Sequence, residues 1–512
     1  MINKPIVAII IPPHTEPSLP MLGAAQLLGY AKKQGISATC YDFSLYAKTG
    51  GEVLPYQADT EGEYWKSANI HKQKFTERYA TLFPFFTANW DGCNQGNFRW
   101  NSFDDQKEYL RCQRGNSNLT TFFNSTFSEF YANDYFLISV TFPSQLLDAL
   151  LLADCIRKQK PEAVIFFGGG LINSCIQTPN DIREPLSEIV DFISLGEGEF
   201  LLEIISRYSI SDIKKLFSKK CAGISYIIDS VAIQKKLNLN ILLSPPAFSN
   251  LQFYDSPLPV LPYRLNSVCY WNHCSFCTEH SYKSALLLPT INDHVNNLIS
   301  LKNEYQTCYF MLQDSAVHPI VLSRFCDLLI QSGAKLKWGI NARFDKKLTD
   351  DLLEKMYTAG CIFLRFGMES GSERILQLMN KGISIKESQR ILKKTRQIGI
   401  LTHLYFIVNF PGENNKDREL TKKFILNNDA FPDSFNISTF ISYKIAPING
   451  AMKKCTCSDS GWNLYENHLG GEDFSFYIDE ITREFEKKHP LHKTLLAPAH
   501  TITLYEKTRK WQ

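Results

Sequence analysis

The chain has 512 residues, which excludes a small single module and predicts about three domains at roughly 150 residues each. Hydrophobic residues make up 44%, and 55 Lys and Arg against 52 Asp and Glu give a net charge of +3. These values exclude a disordered chain and argue against a strongly basic nucleic-acid-binding surface. Because no run of 18 apolar residues occurs and the amino terminus passes straight into a strand-like segment, we expect neither a membrane span nor a secretory signal.

Strands and helices alternate through residues 1–220. A buried strand is predicted over Pro5–Ile11, a helix over Met21–Gln34 that ends at Gly35, and a second strand over Ser37–Tyr41. The pattern resumes with strands over Tyr135–Val140, Ala163–Phe167 and Asp191–Leu195, a helix over Gln145–Lys158, and a helix opened by Gly196-Glu197-Gly198-Glu199. This order predicts an α/β domain with a Rossmann-like, open parallel sheet.

Two segments interrupt the alternation. Residues 48–133 are rich in aromatic residues and Asn and show no clear period, so we expect a folded helical insertion there. Residues 221–263 contain five prolines and predict a hairpin followed by an extended linker.

Six strand–helix units are predicted within residues 264–445. The strands are Arg264–Val268, Cys308–Gln313, Lys335–Ile340, Ile362–Met368, Thr402–Val408 and Asn436–Tyr443. Six units without an eighth predict a partial (β/α)6 barrel, whose ligands should lie at the carboxyl ends of the strands. Residues 446–512 remain as a C-terminal segment expected to cap the substrate site.

The 14 cysteines divide into two groups. Most lie singly in apolar runs, as expected of reduced thiols in a cytoplasmic protein. Cys269, Cys274 and Cys277 instead lie within nine residues, in SVCYWNHCSFCTEH, after the first predicted barrel strand. Three thiolates on one loop can bind zinc, with His273 or His280 as a fourth ligand, or an iron–sulfur cluster with one open iron.

A second metal site is a separate alternative. Cys455 and Cys457 lie near His468 but lack the usual ligand spacing, which favours a surface or tail position over a site.

The cysteine loop resembles that of radical S-adenosylmethionine (SAM) enzymes, in the subgroup fused to a cobalamin-binding-like domain. Four further motifs of this family follow in order: Gln313-Asp314, Arg343 in WGINARFD, GMESG with Glu369 followed by NKG, and FIVNFPGE. The resemblance implies a [4Fe–4S] cluster on the three cysteines, and SAM as cofactor. Two departures are Ser267-Val268, where the family usually has Arg-Gly, and Asn409, where it usually has Gly.

The resemblance also implies roles in SAM binding. Gln313 and Asp314 would accept from the ammonium group, Arg343 would pair with the carboxylate, and Glu369 would accept from the ribose hydroxyls. Phe276 and the turn containing Val408, Asn409, Phe410 and Pro411 would flank the adenine. Considered alone, each residue has a less favoured alternative: Glu369 could cap the following helix, and Arg343 could be a solvated residue at the barrel mouth.

The N-terminal sheet resembles the cobalamin-binding fold of the same enzymes over residues 5–207. The implied cobalamin contacts lie at the strand ends: Ser139, Thr141, Gly168, Gly169, Gly170, Gly196, Glu197, Gly198 and Glu199. The D-x-H-x-x-G pattern is absent, so a bound cobalamin would lack the axial His that this pattern supplies. The fold persisting without cobalamin stays an alternative.

The resemblance implies cobalamin-dependent C-methylation of a peptide or small natural product. The alternatives are a cobalamin-independent rearrangement, cyclisation or oxidation, and, in another class, a zinc-stabilised binding protein without catalysis. The implied partners are a small-molecule or precursor-peptide substrate and an electron donor such as flavodoxin or ferredoxin, with neither nucleic acid nor membrane.

Overall fold

The structure is a computed structural model of the 512 residues. It describes the chain apart from residues 1–5, 14, 16–17, 57–59, 84–93, 96–97, 100–101, 115–117, 177–180, 218, 221–225, 282–283, 428, 430–431, 444–445, 451–463, 467–473, 489–497 and 512. The described residues form two compact units. The first contains the chain up to Asp255 together with residues 284–287; the second contains Ser256–Ser281 and most of the chain after Leu288.

The first unit is an α/β domain. Its elements are β1 (Ile6–Ile11), α1 (Leu22–Gln34), β2 (Ser37–Asp42), α2 (Phe43–Thr49), α3 (Glu61–Leu82), β3 (Asn94–Gln95), β4 (Phe98–Arg99), α4 (Phe103–Gln113), α5 (Asn118–Ser125), β5 (Tyr135–Ser139), α6 (Leu146–Gln159), β6 (Val164–Gly168), α7 (Gly170–Cys175), α8 (Leu186–Ile189), β7 (Phe192–Leu195), α9 (Gly198–Arg207), α10 (Ile210–Phe217), β8 (Lys219–Lys220), β9 (Tyr226–Asp229) and α11 (Ser230–Leu237).

Seven of these strands form one sheet in the order β2-β1-β5-β6-β7-β9-β8. All neighbours pair in parallel except β8, which is antiparallel to β9. The predicted Rossmann-like sheet is therefore confirmed. It also extends into the segment predicted as hairpin and linker, because β9 pairs with β7.

Helices make up most of what is described between residues 48 and 133. Aromatic rings anchor this part on the sheet domain, because the Phe43 ring makes edge contacts with four rings, those of Phe122, Phe123, Phe127 and Phe130. Such edge-to-face contacts bury large rings without a polar partner. The aromatic composition that set this segment apart in the sequence thus serves as its core.

The second unit carries the partial barrel. Its elements are β10 (Val260–Tyr263), α12 (Ile291–Tyr305), β11 (Tyr309–Leu312), α13 (Pro319–Ser332), β12 (Lys337–Ala342), α14 (Asp350–Thr358), β13 (Cys361–Glu369), α15 (Glu373–Leu378), α16 (Ile385–Ile398), β14 (Leu401–Val408), α17 (Asn415–Ile425) and β15 (Ser434–Thr439). Further along the chain follow β16 (Ile441–Tyr443), β17 (Leu464–Glu466), α18 (Ser475–Lys488) and α19 (Pro498–Trp511).

Strands β10 to β15 pair in parallel in chain order. This confirms the predicted partial (β/α)6 barrel. One face of the sheet packs on helices: Trp338 contacts Phe325 of α13, Phe406 contacts Phe424 of α17, and Phe435 contacts Phe485 of α18. Because side chains alternate along a strand, the residues on either side of Trp338, Phe406 and Phe435 in their own strands point to the opposite, concave face.

The first barrel strand was predicted in the wrong place. It spans Val260–Tyr263 rather than Arg264–Val268, and Pro262 lies within it, paired with Met311. Proline has no N–H to donate, which is tolerated here because β10 is an edge strand that pairs only with β11 among the described residues. The prolines that indicated a linker thus include one strand residue, and the cysteine loop follows after an irregular segment.

The last predicted strand is divided: β15 ends at Thr439 and β16 begins at Ile441. The Phe440 N–H between them donates to the Val408 carbonyl at 2.8 Å. Within the part of the chain that the structure describes, no helix is both long and apolar enough to cross a bilayer.

Candidate active site in the barrel unit

The segment between β10 and the first cysteine is held by the buried carboxylate of Asp314. The Leu265 N–H donates to both of its oxygens, at 3.0 and 3.1 Å, and the Asn266 N–H donates to Oδ1 at 2.6 Å. Burial raises the pKa of Asp314 to about 6, while these amides oppose the rise. Asp314 thus fixes the start of the cysteine loop, and the N–H of the neighbouring Gln313 donates to the Tyr263 carbonyl at 2.7 Å.

The three cysteines lie together at the carboxyl edge of this sheet. Cys274 is buried, whereas Cys269 and Cys277 are partly buried, and all three are free thiols. Cys274 lies close enough to Cys269 and to Cys277 for their charges to interact. Burial raises the pKa of Cys274, and Lys381 and Arg343 oppose the rise; burial also raises the pKa of Cys277 to about 11.

A short segment that begins at the last residue of α15, residues 378–382, packs on the cysteine loop; we call it the strap. The Ser275 N–H donates to the Met379 carbonyl at 2.9 Å, and its hydroxyl donates to the Leu378 carbonyl at 3.1 Å. Asn380 Nδ2 donates to the His273 carbonyl at 2.8 Å. These bonds join residues more than 100 positions apart and fix the loop from one side.

Trp271 completes the contact between loop and strap. Its indole Nε1 donates to the Asn380 carbonyl at 3.2 Å, and its ring covers Gly382 so closely that a Cβ there would overlap it. Gly382 also has φ +65°, a left-handed conformation that suits glycine. The NKG motif is therefore a loop clamp, a role that its position in the sequence did not reveal.

Arg343 is buried between the loop and the strap. Its guanidinium lies 4.4 Å from the Trp271 ring, Nη2 donates to the Lys381 carbonyl, and Nη1 lies 4.0 Å from Cys274 Sγ. Its Nε is shielded from solvent and has no hydrogen-bond partner among the described residues. A charged donor of this kind is available to bond to an anionic group.

Glu369 ends β13 in a left-handed conformation, φ +66°, after a register shift in its pairing with β14. Lys381 Nζ donates to its Oε1 at 2.7 Å, and both side chains are buried. Lys381 also lies 5.7 Å from the Phe276 ring centroid. The predicted ribose ligand is thus paired with a lysine of the strap, and the predicted adenine neighbour Phe276 lies against the same lysine.

The turn after β14 supports the remaining predicted residues. Val408 and Phe410 are buried, Pro411 is partly buried, and Asn409 has φ +61°, which explains why glycine suits this position and why Asn replaces it without great cost. The Asn409 N–H donates to Glu413 Oε2 at 2.6 Å. Burial raises the pKa of Glu413 to about 7.

Phe276 joins the apolar cluster of this turn. It packs against buried Ile375, Met379, Phe410 and Phe440. An apolar wall of this kind next to a polar strand end suits the flat adenine ring of SAM.

The predicted cobalamin residues lie at the carboxyl edge of the first unit. Ser139 ends β5 opposite Gly168 at the end of β6, and the Thr141 N–H donates to buried Gln145. Gly169 and Gly170 open α7. Gly196 and Glu197 connect β7 to α9, and Gly198 and Glu199 are the first two residues of α9.

At two positions of this edge, contacts within the first unit itself leave no room for a side chain larger than that of glycine. A Cβ on Gly169 would meet the Val140 carbonyl oxygen at 2.6 Å, and one on Gly196 would overlap the Ser230 hydroxyl. Glu197 accepts from Ser230 at 3.0 Å and from the Ala285 N–H at 3.2 Å. Gly170 is more open, because the nearest atom to its Cβ is the Thr141 oxygen at 3.6 Å.

The donor chemistry of the barrel site fits an iron–sulfur cluster. Three thiolates give the soft ligand set that such clusters take, and the cations of Arg343 and Lys381 offset the negative charge of a thiolate-bound cluster. Within the described ranges, no three His, Cys, Asp or Glu side chains are placed to hold a single metal ion. Cys455, Cys457 and His468 lie outside those ranges, as does the side chain of His280.

Comparison with known proteins identifies the class. Residues 265–425 match the family described as the Radical SAM superfamily. The chain thus carries a radical SAM domain, and this class of enzymes uses a [4Fe–4S] cluster and SAM.

Individual relatives are distant. The anaerobic magnesium-protoporphyrin IX monomethyl ester cyclase of Cereibacter sphaeroides is 27% identical over 34% of this chain and 29% of its own length. The chain spans about a third of the length of the curated relatives it matches here.

Solved structures extend the similarity of fold to most of the chain. One similar structure is the radical SAM methyltransferase TsrM from Kitasatospora setae with tryptophan substrate and a SAM analog bound. The superposition covers 86% of this chain and 74% of the TsrM chain, with a TM-score of 0.57 and 14% sequence identity. Another is the cobalamin-dependent SAM radical enzyme OxsB with aqua-cobalamin bound. Here the superposition covers 85% of this chain and 54% of the OxsB chain, with a TM-score of 0.53 and 15% sequence identity. At these identities the likeness shows the fold.

Proposed function

We propose that this chain is a radical SAM enzyme that methylates a carbon of a peptide or small natural product in a cobalamin-dependent reaction. The observation that carries the first part is the clamped three-cysteine loop, with Arg343 Nη1 4.0 Å from the sulfur of buried Cys274 and Arg343 Nε without a partner among the described residues. The cobalamin part is supported by the parallel sheet of the first unit and by the likeness of fold to TsrM, which was solved with cobalamin and a [4Fe–4S] cluster bound, and to the cobalamin-dependent enzyme OxsB.

Different residues of the barrel unit would bind the cluster and SAM. Cys269, Cys274 and Cys277 would hold the [4Fe–4S] cluster. When bound, the cluster supplies one electron for the cleavage of SAM to methionine and a 5′-deoxyadenosyl radical.

The SAM-binding residues surround this loop. Glu369, anchored by Lys381, presents its carboxylate for the ribose hydroxyls, and the apolar wall of Phe276 and the Val408–Pro411 turn excludes water from the adenine. We assign the SAM carboxylate to Arg343, and the SAM ammonium to Gln313 rather than to Asp314, since the Asp314 oxygens already accept three hydrogen bonds.

In the first unit, Ser139, Thr141, Gly168–Gly170 and Gly196–Gly198 would line a cobalamin site. When bound, cobalamin supplies a carrier for the methyl group. A flavodoxin or ferredoxin in a reducing cytoplasm would supply the electrons, and the substrate would be a small molecule or a precursor peptide.

Anaerobic reconstitution tests the cluster. We expect about four irons per chain and release of 5′-deoxyadenosine from SAM with a reductant. Cys274→Ala should lose both, whereas Cys326→Ala is a matched control, since Cys326 is buried in the core on α13 away from the loop. One zinc and no iron in the wild-type chain would overturn the proposal.

A second candidate is radical chemistry without cobalamin. It is favoured by the internal packing of Gly169 and Gly196, which explains these glycines without a cofactor. Purification with hydroxocobalamin separates the two: a retained corrin spectrum, lost in Gly170→Leu, supports methylation, and no retained corrin supports the second candidate.

A further inference from the structure

One charged side chain on the concave face of the barrel has no counter-ion among the described residues. Arg365 lies in the middle of β13, and its only hydrogen bond to another described residue runs from Nη1 to the Tyr405 hydroxyl, at 3.3 Å. Its Nε is shielded from solvent and lacks an acceptor. Burial lowers the pKa of Arg365, although arginine stays protonated at neutral pH.

The neighbours of Arg365 are polar and uncharged. Strand register places Asn341, Arg365, His403 and Ser434 in one row across four strands. His403 is buried, its Nδ1 lies 2.8 Å from Ser434 Oγ, and burial lowers its pKa to about 3, so it is neutral. Asn341 donates to the Asp314 carbonyl at 2.7 Å.

Neither nearby acidic group is paired with Arg365. Glu369, on the same face, is paired with Lys381. Glu506 of α19 lies near Cys308 and Tyr309 at the start of β11, and its buried Oε1 has no hydrogen-bond partner among the described residues. Within the described part of the chain, Arg365 therefore faces the concave side as an uncompensated cation. Burying such a charge is costly unless a partner arrives.

The row lies within reach of the SAM site and of solvent. Arg365 is four residues before Glu369 on the same strand, about 13 Å deeper on the sheet at ~3.3 Å per residue. The Glu369 carboxylate and Lys381 Nζ lie over Gly367 between them, where a Cβ would overlap the carboxylate, so the ion pair reaches back along this face towards Arg365. Tyr405 is 36% exposed, so the face is accessible.

We propose that Arg365, with Tyr405, binds an oxyanion of the substrate, a carboxylate or a phosphate, on the concave face of the barrel. Tyr405 orients the guanidinium through Nη1, which leaves the edge formed by Nε and Nη2 for two parallel hydrogen bonds to a planar anion. This inference rests on the proposed function, because only an enzyme has a substrate to bind here. It adds that the substrate carries a carboxylate or a phosphate.

Thermal unfolding of the reconstituted full chain tests the site, with sodium propionate and sodium phosphate as probes against sodium chloride at equal ionic strength. We expect one of them to raise the unfolding midpoint of the wild-type chain, and which one distinguishes the two oxyanions. Arg365→Met should lose this shift and unfold at a higher midpoint in chloride, because an uncompensated buried charge is removed.

Arg324→Met is the matched control, because Arg324 is exposed on α13 and the change of charge is the same. It should keep the anion shift. Arg365→Lys, which keeps the charge but loses the fork, should fold and bind the effective anion about 10-fold more weakly or worse. An equal shift in Arg365→Lys and the wild-type chain, or no shift in the wild-type chain, would overturn the proposal.

Measurements of SAM affinity and iron content show whether Arg365 belongs to the SAM site and whether the two proposals fail separately. Arg365→Met should keep its SAM affinity within about 2-fold, whereas a loss of 10-fold or more would place Arg365 in the SAM site and overturn the assignment to substrate. If the wild-type chain retains no iron but still responds to the anion, the proposed function fails while the oxyanion site stands.

Discussion

Lys381 Nζ lies 2.7 Å from Glu369 Oε1, and this buried ion pair joins the end of β13 to the strap that clamps the cysteine loop. Removing one partner of a buried pair leaves the other charge uncompensated. We therefore expect Glu369→Gln to lower the free energy of unfolding by about 3 kcal/mol, measured by urea denaturation. The double variant Glu369→Gln with Lys381→Met should recover stability but not SAM affinity. If the double variant is no more stable than the single one, the pair is not the source of the loss.

The clamp itself can be tested at Gly382. We expect Gly382→Ala to reduce the iron retained after reconstitution, because its Cβ would displace Trp271 and with it the loop. Gly333→Ala is the control: Gly333 has a similar φ, +61°, at the end of α13, but nothing lies within 4 Å of its Cβ. Both variants carry the backbone strain of about 1–2 kcal/mol, so equal iron content in the two would contradict the clamp.

The sequence predicts the elements well and the contacts between them poorly. Strand β11 was predicted over Cys308–Gln313 and spans Tyr309–Leu312, because its apolar run is bounded by clear turn signals. Strand β10 was misplaced because Pro262 is compatible with a strand only at a sheet edge, and edge position depends on the whole topology.

The same limit applies to the site. The cysteine loop was found because its ligands are close in sequence. The residues that hold this loop in place were not found, because they are far from it in sequence: Asp314 is 49 positions from Leu265, and Asn380 is 107 positions from His273. Arg365 gave no signal at all, since only strand register and the missing acceptor distinguish it from an ordinary surface cation.

In the first unit, Asp42 predicts a pH dependence of stability. It caps α2 by accepting from the Leu45 N–H at 2.8 Å and accepts from the Tyr254 hydroxyl at 2.7 Å, while burial raises its pKa from 3.8 to about 6. A raised pKa means that the folded state binds the proton more tightly. The contribution of this group to stability is therefore fully present below pH 3.8 and is lost as the pH rises through 6.

We expect the wild-type chain to lose about 2 kcal/mol relative to Asp42→Asn between pH 4 and pH 7, from the shift of about two pKa units. Asn keeps the cap but does not titrate. The measurement is the difference in unfolding free energy between the two chains across this range, which cancels the titration of other carboxyls. A difference that does not change with pH would contradict the raised pKa.

Asp314 distinguishes the role that the family resemblance implies from the role that the structure shows. If its carboxylate holds the start of the cysteine loop, Asp314→Ala should leave both the Leu265 and the Asn266 amide without an acceptor, since Asp314 Oδ1 accepts from both. Hydrogen exchange at these amides should then quicken about 10-fold or more and iron retention should fall, at a cost of about 1–3 kcal/mol for the lost bond to a charged group. Asp351→Ala, which removes an exposed carboxylate from the first turn of α14, should do neither. Should exchange and iron content stay at wild-type values while SAM affinity falls, Asp314 would instead be a ligand of the SAM ammonium, as the sequence alone indicated.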